Sequence, residues 1–316
     1  MGLPKQFISC DWGTSNFRLR LVATDTLKIL SQHTSNQGIK KHFKAFTHQH
    51  SQSRTDFYCS YLINEISSLK GKNTETIPVV ASGMLSSSIG MKELPYAHMP
   101  MNFNGSTLSS EYLECTGGQP LILISGIKTD NDVIRGEETQ ALGLADLLPK
   151  TEKGLLILPG THSKHITFFN SEFRHFKTYM TGELFEIISQ NSILSTSLQQ
   201  SEWTPQFENI FLDGVKRALS ADAMSYFFSI RANTLLNEAN PIENSFFLSG
   251  LLIGSELKSI ADKYEPVYLG ASGISAELYK RALTYILPKD YLTCISGEDM
   301  EKALLVGQLK LLQNHG

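Results

Sequence analysis

The sequence predicts an α/β protein of two similarly built halves, each a mixed five-stranded sheet with helices on both faces. Three observations predict it. Twice, at 7–22 and about 150 residues later at 155–169, an apolar strand runs into a short Gly-centred, hydroxyl-rich turn and out into a second strand. In each half a third strand follows a tight turn, and helices then alternate with strands, which is an antiparallel meander feeding parallel strands. Between the halves, residues 148–154 gather Pro149, Gly154 and three charged side chains, the composition of a boundary.

In the first half, strands are expected at 6–11, 16–24 and 27–34, a helix at about 54–70, strands at 77–82 and 120–126, and a helix at about 136–147. The 54–70 helix has Phe57, Tyr61, Ile63, Ile66 and Leu69 spaced along one face, and Lys70, Gly71, Lys72 and Asn73 end it. Residues 86–120, rich in Ser, Met, Pro and Gly, read as an irregular binding segment. In the second half, strands are expected at 154–159, 164–170 and 173–179 and a helix at about 181–194. A helical insertion at about 207–237, a helix at about 243–263, a strand at 266–270, a helix at about 274–286, a strand at 291–296 and a helix at about 298–313 complete it. Two such sheets facing each other form a duplicated ribonuclease H-like arrangement around a nucleotide cleft. Its domains would be 1–148, completed by the C-terminal helix 298–316, and 149–297.

With 31 acidic against 28 basic residues and a net charge of −3, the chain has no electrostatic footprint for nucleic acid or an anionic membrane, so a small-molecule ligand is favoured. The four cysteines, at 10, 59, 115 and 294, have no C-x-x-C spacing and read as buried thiols of a reducing compartment, with no structural zinc. No secretory leader or membrane span is read, so a cytoplasmic protein is expected.

The two turns read as phosphate grips. In the first, Asp11 ends a strand before Gly13, Thr14 and Ser15, with Arg18 just beyond. Gly lets backbone approach a ligand, and successive N–H and hydroxyl groups cradle anionic oxygens. A carboxylate beside them makes sense if Mg²⁺ lies between, held by Asp11 through water. The second turn offers Gly160, Thr161, His162, Ser163 and Lys164, with Lys164 placed to offset charge developing in phosphoryl transfer. His165 reads as a structural hydrogen-bonding group, while His162 stays open. Arg135 and Gly136 precede Glu137 and Glu138 at a helix start, where a carboxylate could accept the proton of an attacking alcohol. Glu138 is placed slightly ahead of Glu137, with Asp132 behind both. Arg18, Lys92 and Arg135 compete for a substrate carboxylate, and a planar guanidinium suits it better than an ammonium. Gly270, Ala271 and Gly273 open a helix suited to an adenosine, and Gly250 is a further adenine neighbour. Thr181, Gly182 and Glu183 read as a helix cap.

Six blocks, in order, carry a family resemblance: 11–18 (DWGTSNFR), 82–84 (SGM) with Gly90 and Pro95-Tyr96, 133–140 (VIRGEETQ), 158–164 (LPGTHSK), 180–185 (MTGELF) through 192–194 (SIL), and 248–257 (LSGLLIGSEL). They are similar to the 2-dehydro-3-deoxygalactonokinases, of the actin, hexokinase and heat-shock chaperone ATPase superfamily. The resemblance implies an actin-like ATPase fold and transfer of the γ-phosphate of ATP to the 6-hydroxyl of 2-dehydro-3-deoxy-D-galactonate, a step of galactonate breakdown. It implies ATP and Mg²⁺, a sugar-acid substrate read by Gly83, Met84 and the 83–96 loop, and leaves a homodimer open. In related sugar kinases an Asp begins the helix at 137, and in exopolyphosphatases a Glu. This chain has Thr161-His162-Ser163 where many superfamily members carry a second Asp, so the metal would rest on Asp11 alone. An exopolyphosphatase-like phosphohydrolase would want a basic channel, and a non-catalytic nucleotide sensor an appended module or a lost base; neither is read here.

Overall fold

The computed structural model describes all residues except 1, 50, 71–73, 116, 221, 262–264 and 315–316. The chain divides into two compact units: 1–150 with 170–175 and 301–316, and 151–169 with 176–300.

The first unit contains β1 (Gln6–Trp12), β2 (Phe17–Ala23), β3 (Ile29–Ser35), α1 (Ile39–Thr47), α2 (Arg54–Ile66), β4 (Val79–Gly83), β5 (Ala97–His98), β6 (Met101–Asn102), β7 (Ser110–Cys115), β8 (Gln119–Ile124), β9 (Ile127–Lys128), β10 (Val133–Ile134) and α3 (Glu137–Leu144). Its main sheet runs β3-β2-β1-β4-β8-β7. The β1–β2–β3 meander is antiparallel, and β4 and β8 join parallel to β1. Six strands stand where five are expected. The extra strand, β7, lies in the stretch read as irregular; its alternating, half-exposed residues suit a sheet edge, where one face meets water. The end of α2 read at 71–73 lies outside the described residues. α1 falls in a stretch left unassigned; it is nine residues long, carries Lys40, Lys41 and Lys44, and buries only Ile39 and His42.

Ile8, Cys10, Trp12, Phe17 and Leu19 from the meander pack against Tyr58, Leu62 and Ile66 of α2 in one core. Cys59 of α2 and Cys115 of β7 are joined by a disulfide with a Cα–Cα distance of 5.4 Å, which corrects the reading of four separate thiols. The pair is 56 residues apart in the chain, so only the docking of α2 beside the sheet edge brings the sulfurs together. Cys10 is a buried free thiol and Cys294 an exposed one.

The second unit contains β11 (Gly154–Leu158), β12 (Ser163–Phe169), β13 (Glu172–Tyr179), α4 (Thr181–Asn191), α5 (Glu208–Ser220), α6 (Phe227–Asn237), α7 (Pro241–Leu257), β14 (Val267–Leu269), α8 (Gly273–Ile286), β15 (Leu292–Cys294) and α9 (Gly297–Gln313), with the start of β13 and most of α9 counted in the first unit. Its strands run β15-β14-β11-β12-β13, with β14 parallel to β11 and β15 and with β11 antiparallel to β12. Residues 262–263, read as the end of α7, lie outside the described residues. α5 and α7 cross so closely that a Cβ on Gly250 would lie 2.1 Å from the Phe211 carbonyl oxygen. Gly250 therefore serves helix packing.

In the first unit, α9 locks against α3 through two glycines. A Cβ on Gly143 would lie 1.7 Å from the Ala303 carbonyl oxygen, and one on Gly307 would lie 1.9 Å from that of Thr139. From the same helix, Gln308 donates to the Cys10 carbonyl at 3.2 Å and to Ser82 Oγ at 3.0 Å, tying α9 to the ends of β1 and β4. Gly143→Ala is expected to lower stability by about 1–3 kcal/mol through overpacking against backbone that cannot yield. An unchanged urea midpoint would show that the two helices can separate without cost.

Candidate active site

Asp11 is the penultimate residue of β1 and is held in the sheet on both sides: it faces Arg18 across the β1–β2 hairpin and Ser82 across to β4. The turn closes with Gly13 N–H donating to the Asn16 carbonyl at 2.9 Å, and Thr14, Ser15 and Asn16 are exposed. Its outer side is braced by the start of α1, where Gly38, Ile39 and Lys40 N–H groups donate to the carbonyls of Ser15, Gly13 and Thr14 at 3.1, 2.9 and 3.3 Å. Those carbonyls are thereby satisfied, as an anion-facing turn requires. Burial raises the Asp11 carboxyl above its ordinary range, and the charge of Glu137 adds to this; Arg18 and Arg20 oppose it.

Gly83 ends β4 at φ +85°, and a Cβ there would lie 2.9 Å from the Trp12 carbonyl oxygen and 3.7 Å from Asp11 Oδ1. Gly136, at φ +113°, caps α3, and a Cβ there would lie 3.4 Å from the Gly83 Cα. Both positions need glycine, since side chains are disfavoured at positive φ. They bring the start of α3 beside the end of β1. Glu138 is only 1% exposed. Its Oε2 accepts from Gly136 N–H at 2.5 Å and its Oε1 from Thr139 Oγ1 at 2.9 Å. A simple helix-start acid would sit in water. Here burial first, and Glu137 second, push the Glu138 carboxyl up to about 7, against the hydrogen bonds it accepts. Strongly shifted groups of this kind cluster at working sites.

Of the three competing cations, Arg135 is committed to its own scaffold. Its guanidinium donates to Ser86 carbonyl and Oγ, both at 2.6 Å, to the Leu94 carbonyl at 3.3 Å, and lies 4.2 Å over the Tyr96 ring. It binds the 84–96 segment together. Lys92 pairs with Glu111 at 2.5 Å on the surface. Arg18 is exposed and faces Asp11 across the hairpin. Met84 begins a short turn of 3₁₀ helix after Gly83 and is half-buried.

In the second unit, Gly160, Thr161 and His162 form the exposed crest of the β11–β12 turn. His162 Nε2 meets Glu183 Oε2 at 2.9 Å. Ser163 is fully buried and Lys164 only 3% exposed, its ammonium donating to the His162 carbonyl at 2.7 Å, so both support the turn from behind. His165 is buried and bonds Glu256 at 2.8 Å, a structural partner. Thr181 does not cap α4: the N-cap is Met180, and the Thr181 hydroxyl donates to Glu256 instead. Gly182 allows the turn to lie against α4, since a Cβ there would be 2.6 Å from the Gly160 carbonyl oxygen.

Beside this turn lies a cavity of about 300 Å³ lined by Gly160, Thr181, Gly182, Phe185, Phe246, Ser249, Ile253, Leu278 and Tyr279, among others. Its mixture of aromatic and aliphatic walls with a few hydroxyls is that of a small-molecule pocket. A second, more open groove adjoins it at Gln200, Ser201 and Ile274, and Gly273 lies on that groove. Gly270 is buried and donates to the Ile157 carbonyl at 2.9 Å, while Ala271 belongs to the core. Neither lines the cavity. Sequence reasoning missed Phe185 of α4 and Phe246 and Ser249 of α7; on a helix as largely buried as α7, lining residues look like core. Among the described residues there is no cluster of three or more His, Cys, Asp or Glu side chains that could hold a metal, and no helix is long and apolar enough to cross a membrane.

The 2-keto-3-deoxy-galactonokinase family model matches residues 11–301. The 2-dehydro-3-deoxygalactonokinase of Escherichia coli (strain K12) is 31% identical over 82% of this chain and 82% of its own. A relative from Rhizobium meliloti (strain 1021), whose name gives the same activity as probable, is 29% identical over 88% of both chains. A solved structure from Sinorhizobium meliloti, provisionally identified as the same kinase, superposes with a TM-score of 0.81 at 27% identity, covering 98% of this chain and 96% of its own.

The Glu138 carboxyl links pH to stability. Its folded value, about 7, lies above its ordinary 4.5, so the folded state holds the proton more tightly. The stabilisation is complete below about pH 4.5 and is lost as pH rises through 7. Relative to Glu138→Gln, the wild-type chain is therefore expected to lose up to about 3 kcal/mol between pH 4 and pH 8. Parallel stability curves for the two proteins across that range would place the carboxylate in a solvated setting.

Proposed function

The chain belongs to the 2-keto-3-deoxy-galactonokinase family, and from that premise we propose that it transfers the γ-phosphate of ATP to the 6-hydroxyl of 2-dehydro-3-deoxy-D-galactonate, on an actin-like ATPase fold of two ribonuclease H-like domains. The observation that carries the reading at the level of residues is the buried Glu138 carboxyl, held near neutrality at the glycine-capped start of α3. A primary alcohol is a weak nucleophile, and a carboxylate titrating near 7 is matched to receive its proton.

The two units take separate roles in this reading. In the second, the apolar cavity holds the adenosine and Thr161 and His162 of the crest offer backbone N–H groups to phosphate, with Lys164 supplying positive charge behind it. In the first, Thr14 and Ser15 meet the transferred phosphoryl group, Arg18 binds the sugar-acid carboxylate, and the segment opened by Gly83 and Met84 reads the sugar hydroxyls. Arg135 shapes that segment without touching substrate. Asp11 fits Mg²⁺ held largely by its own waters: it is a lone, partly buried strand-end carboxylate whose charge burial and Glu137 disfavour, a setting that a cation relieves. When bound, Mg²⁺ would offset negative charge on the phosphates.

ATP consumption is expected only when 2-dehydro-3-deoxygalactonate is supplied; steady consumption without it would favour a phosphohydrolase. Asp11→Asn is expected to abolish turnover with the fold retained. Glu138→Gln should cut kcat by about 10²–10⁴ with little change in ATP binding. Glu137→Gln should do less, since neighbouring helix residues point about 100° apart. Near-normal kcat in both glutamine variants would move the base elsewhere.

A further inference from the structure

Below the crest of the β11–β12 turn, four elements of the second unit converge on one buried carboxylate. Glu256, on α7, is 2% exposed. Its Oε1 bonds His165 Nε2 of β12 at 2.8 Å; its Oε2 accepts from the Tyr279 hydroxyl of α8 at 2.6 Å and from the Thr181 hydroxyl at the start of α4. Tyr279 in turn meets Ser163 Oγ at 2.9 Å, and Gly160 N–H is directed at that same Oγ at 3.4 Å.

The directions of these bonds follow from chemistry. A carboxylate only accepts, so the single Tyr279 hydrogen is committed to Glu256. Burial and the Glu256 charge hold that phenol well above its ordinary titration range, so the hydrogen stays in place. Ser163 must then donate to Tyr279, which leaves its lone pairs facing Gly160 N–H. The charge of Glu256 is thus relayed, one hydroxyl at a time, to the backbone of the turn. A second arm reaches the same turn: Thr181, held by Glu256, precedes Gly182, which packs on Gly160 and Thr161, and Glu183 N–H donates to the Thr161 carbonyl at 3.0 Å.

A buried carboxylate is expensive, and an apolar side chain of the same volume often stabilises a core more. This one spans only the turn and the cavity wall, since Tyr279 and Thr181 also line the 300 Å³ cavity. We propose that Glu256 is a positioning residue that fixes the Gly160–His162 turn for phosphate, acting through Tyr279–Ser163 on one side and Thr181 on the other. The proposal rests on the nucleotide reading of this site and assigns Glu256 and Tyr279 a role in holding phosphate but not the base.

The test compares ADP with adenosine by calorimetry or NMR titration, on wild-type protein, Tyr279→Phe and Glu256→Gln, with melting temperatures alongside. Tyr279→Phe keeps the ring in the cavity wall, and Glu256→Gln keeps the shape while letting the amide donate, which reverses the relay. In both, ADP affinity is expected to fall roughly 10-fold while adenosine affinity holds, as loss of one positioned hydrogen bond implies. Equal losses for ADP and adenosine, or unchanged ADP affinity in either folded variant, would overturn the proposal and leave the nucleotide reading standing. Failure of the wild-type protein to bind ADP would overturn both.

Discussion

The packing of backbone around Asp11 is the constraint from which the rest of the first unit follows. β1 and β4 end side by side, and Gly83 turns away so closely over Trp12 that no side chain fits. Gly136 then sets the start of α3 on Gly83 at a backbone angle that favours glycine. Two carboxylates of α3 are thereby brought to the strand end that carries Asp11, and the charge of Glu137 raises the titration of both Asp11 and Glu138. The C-terminal helix α9 closes the arrangement from behind through Gly143, Gly307 and Gln308. Residues more than 290 positions apart thus share one small volume.

Each unit buries one glutamate near its glycine turn, and the two are handled in opposite ways. Glu138 accepts from one backbone N–H and one hydroxyl and is pushed toward neutrality, which suits a group that must exchange a proton. Glu256 accepts from two hydroxyls and an imidazole, which suits a fixed charge that orders its surroundings.

What could be read from the sequence was local. Asp11 with Gly13 and Thr14, and Gly136 with the two glutamates, stand out because strand ends and helix starts are marked by residues close in the chain. The hairpins and most helices were legible for the same reason. Contacts between distant segments were not. Nothing near Arg135 announces that its guanidinium is taken by Ser86 and Leu94, and nothing near Cys59 points to Cys115. Likewise Thr181 has the composition of a cap, yet a carboxylate 75 residues away claims its hydroxyl. Gly270 and Gly273 form a recognisable local pattern, whereas the walls of the cavity come from α4, α7 and α8, far apart in the chain.

The central claim is that glycine crowding at the end of β1 places and tunes the carboxylates of α3. The most direct measurement is kcat for Gly136→Ala across pH 5–9, with its melting temperature. At that positive φ a side chain strains the backbone, although its Cβ would meet the Gly83 Cα at an ordinary contact distance of 3.4 Å. A folded variant with kcat reduced by about 10²-fold or more, and with its acid limb moved away from the wild-type position near 7, is the result the account predicts. Wild-type kcat and an unmoved pH profile would contradict it.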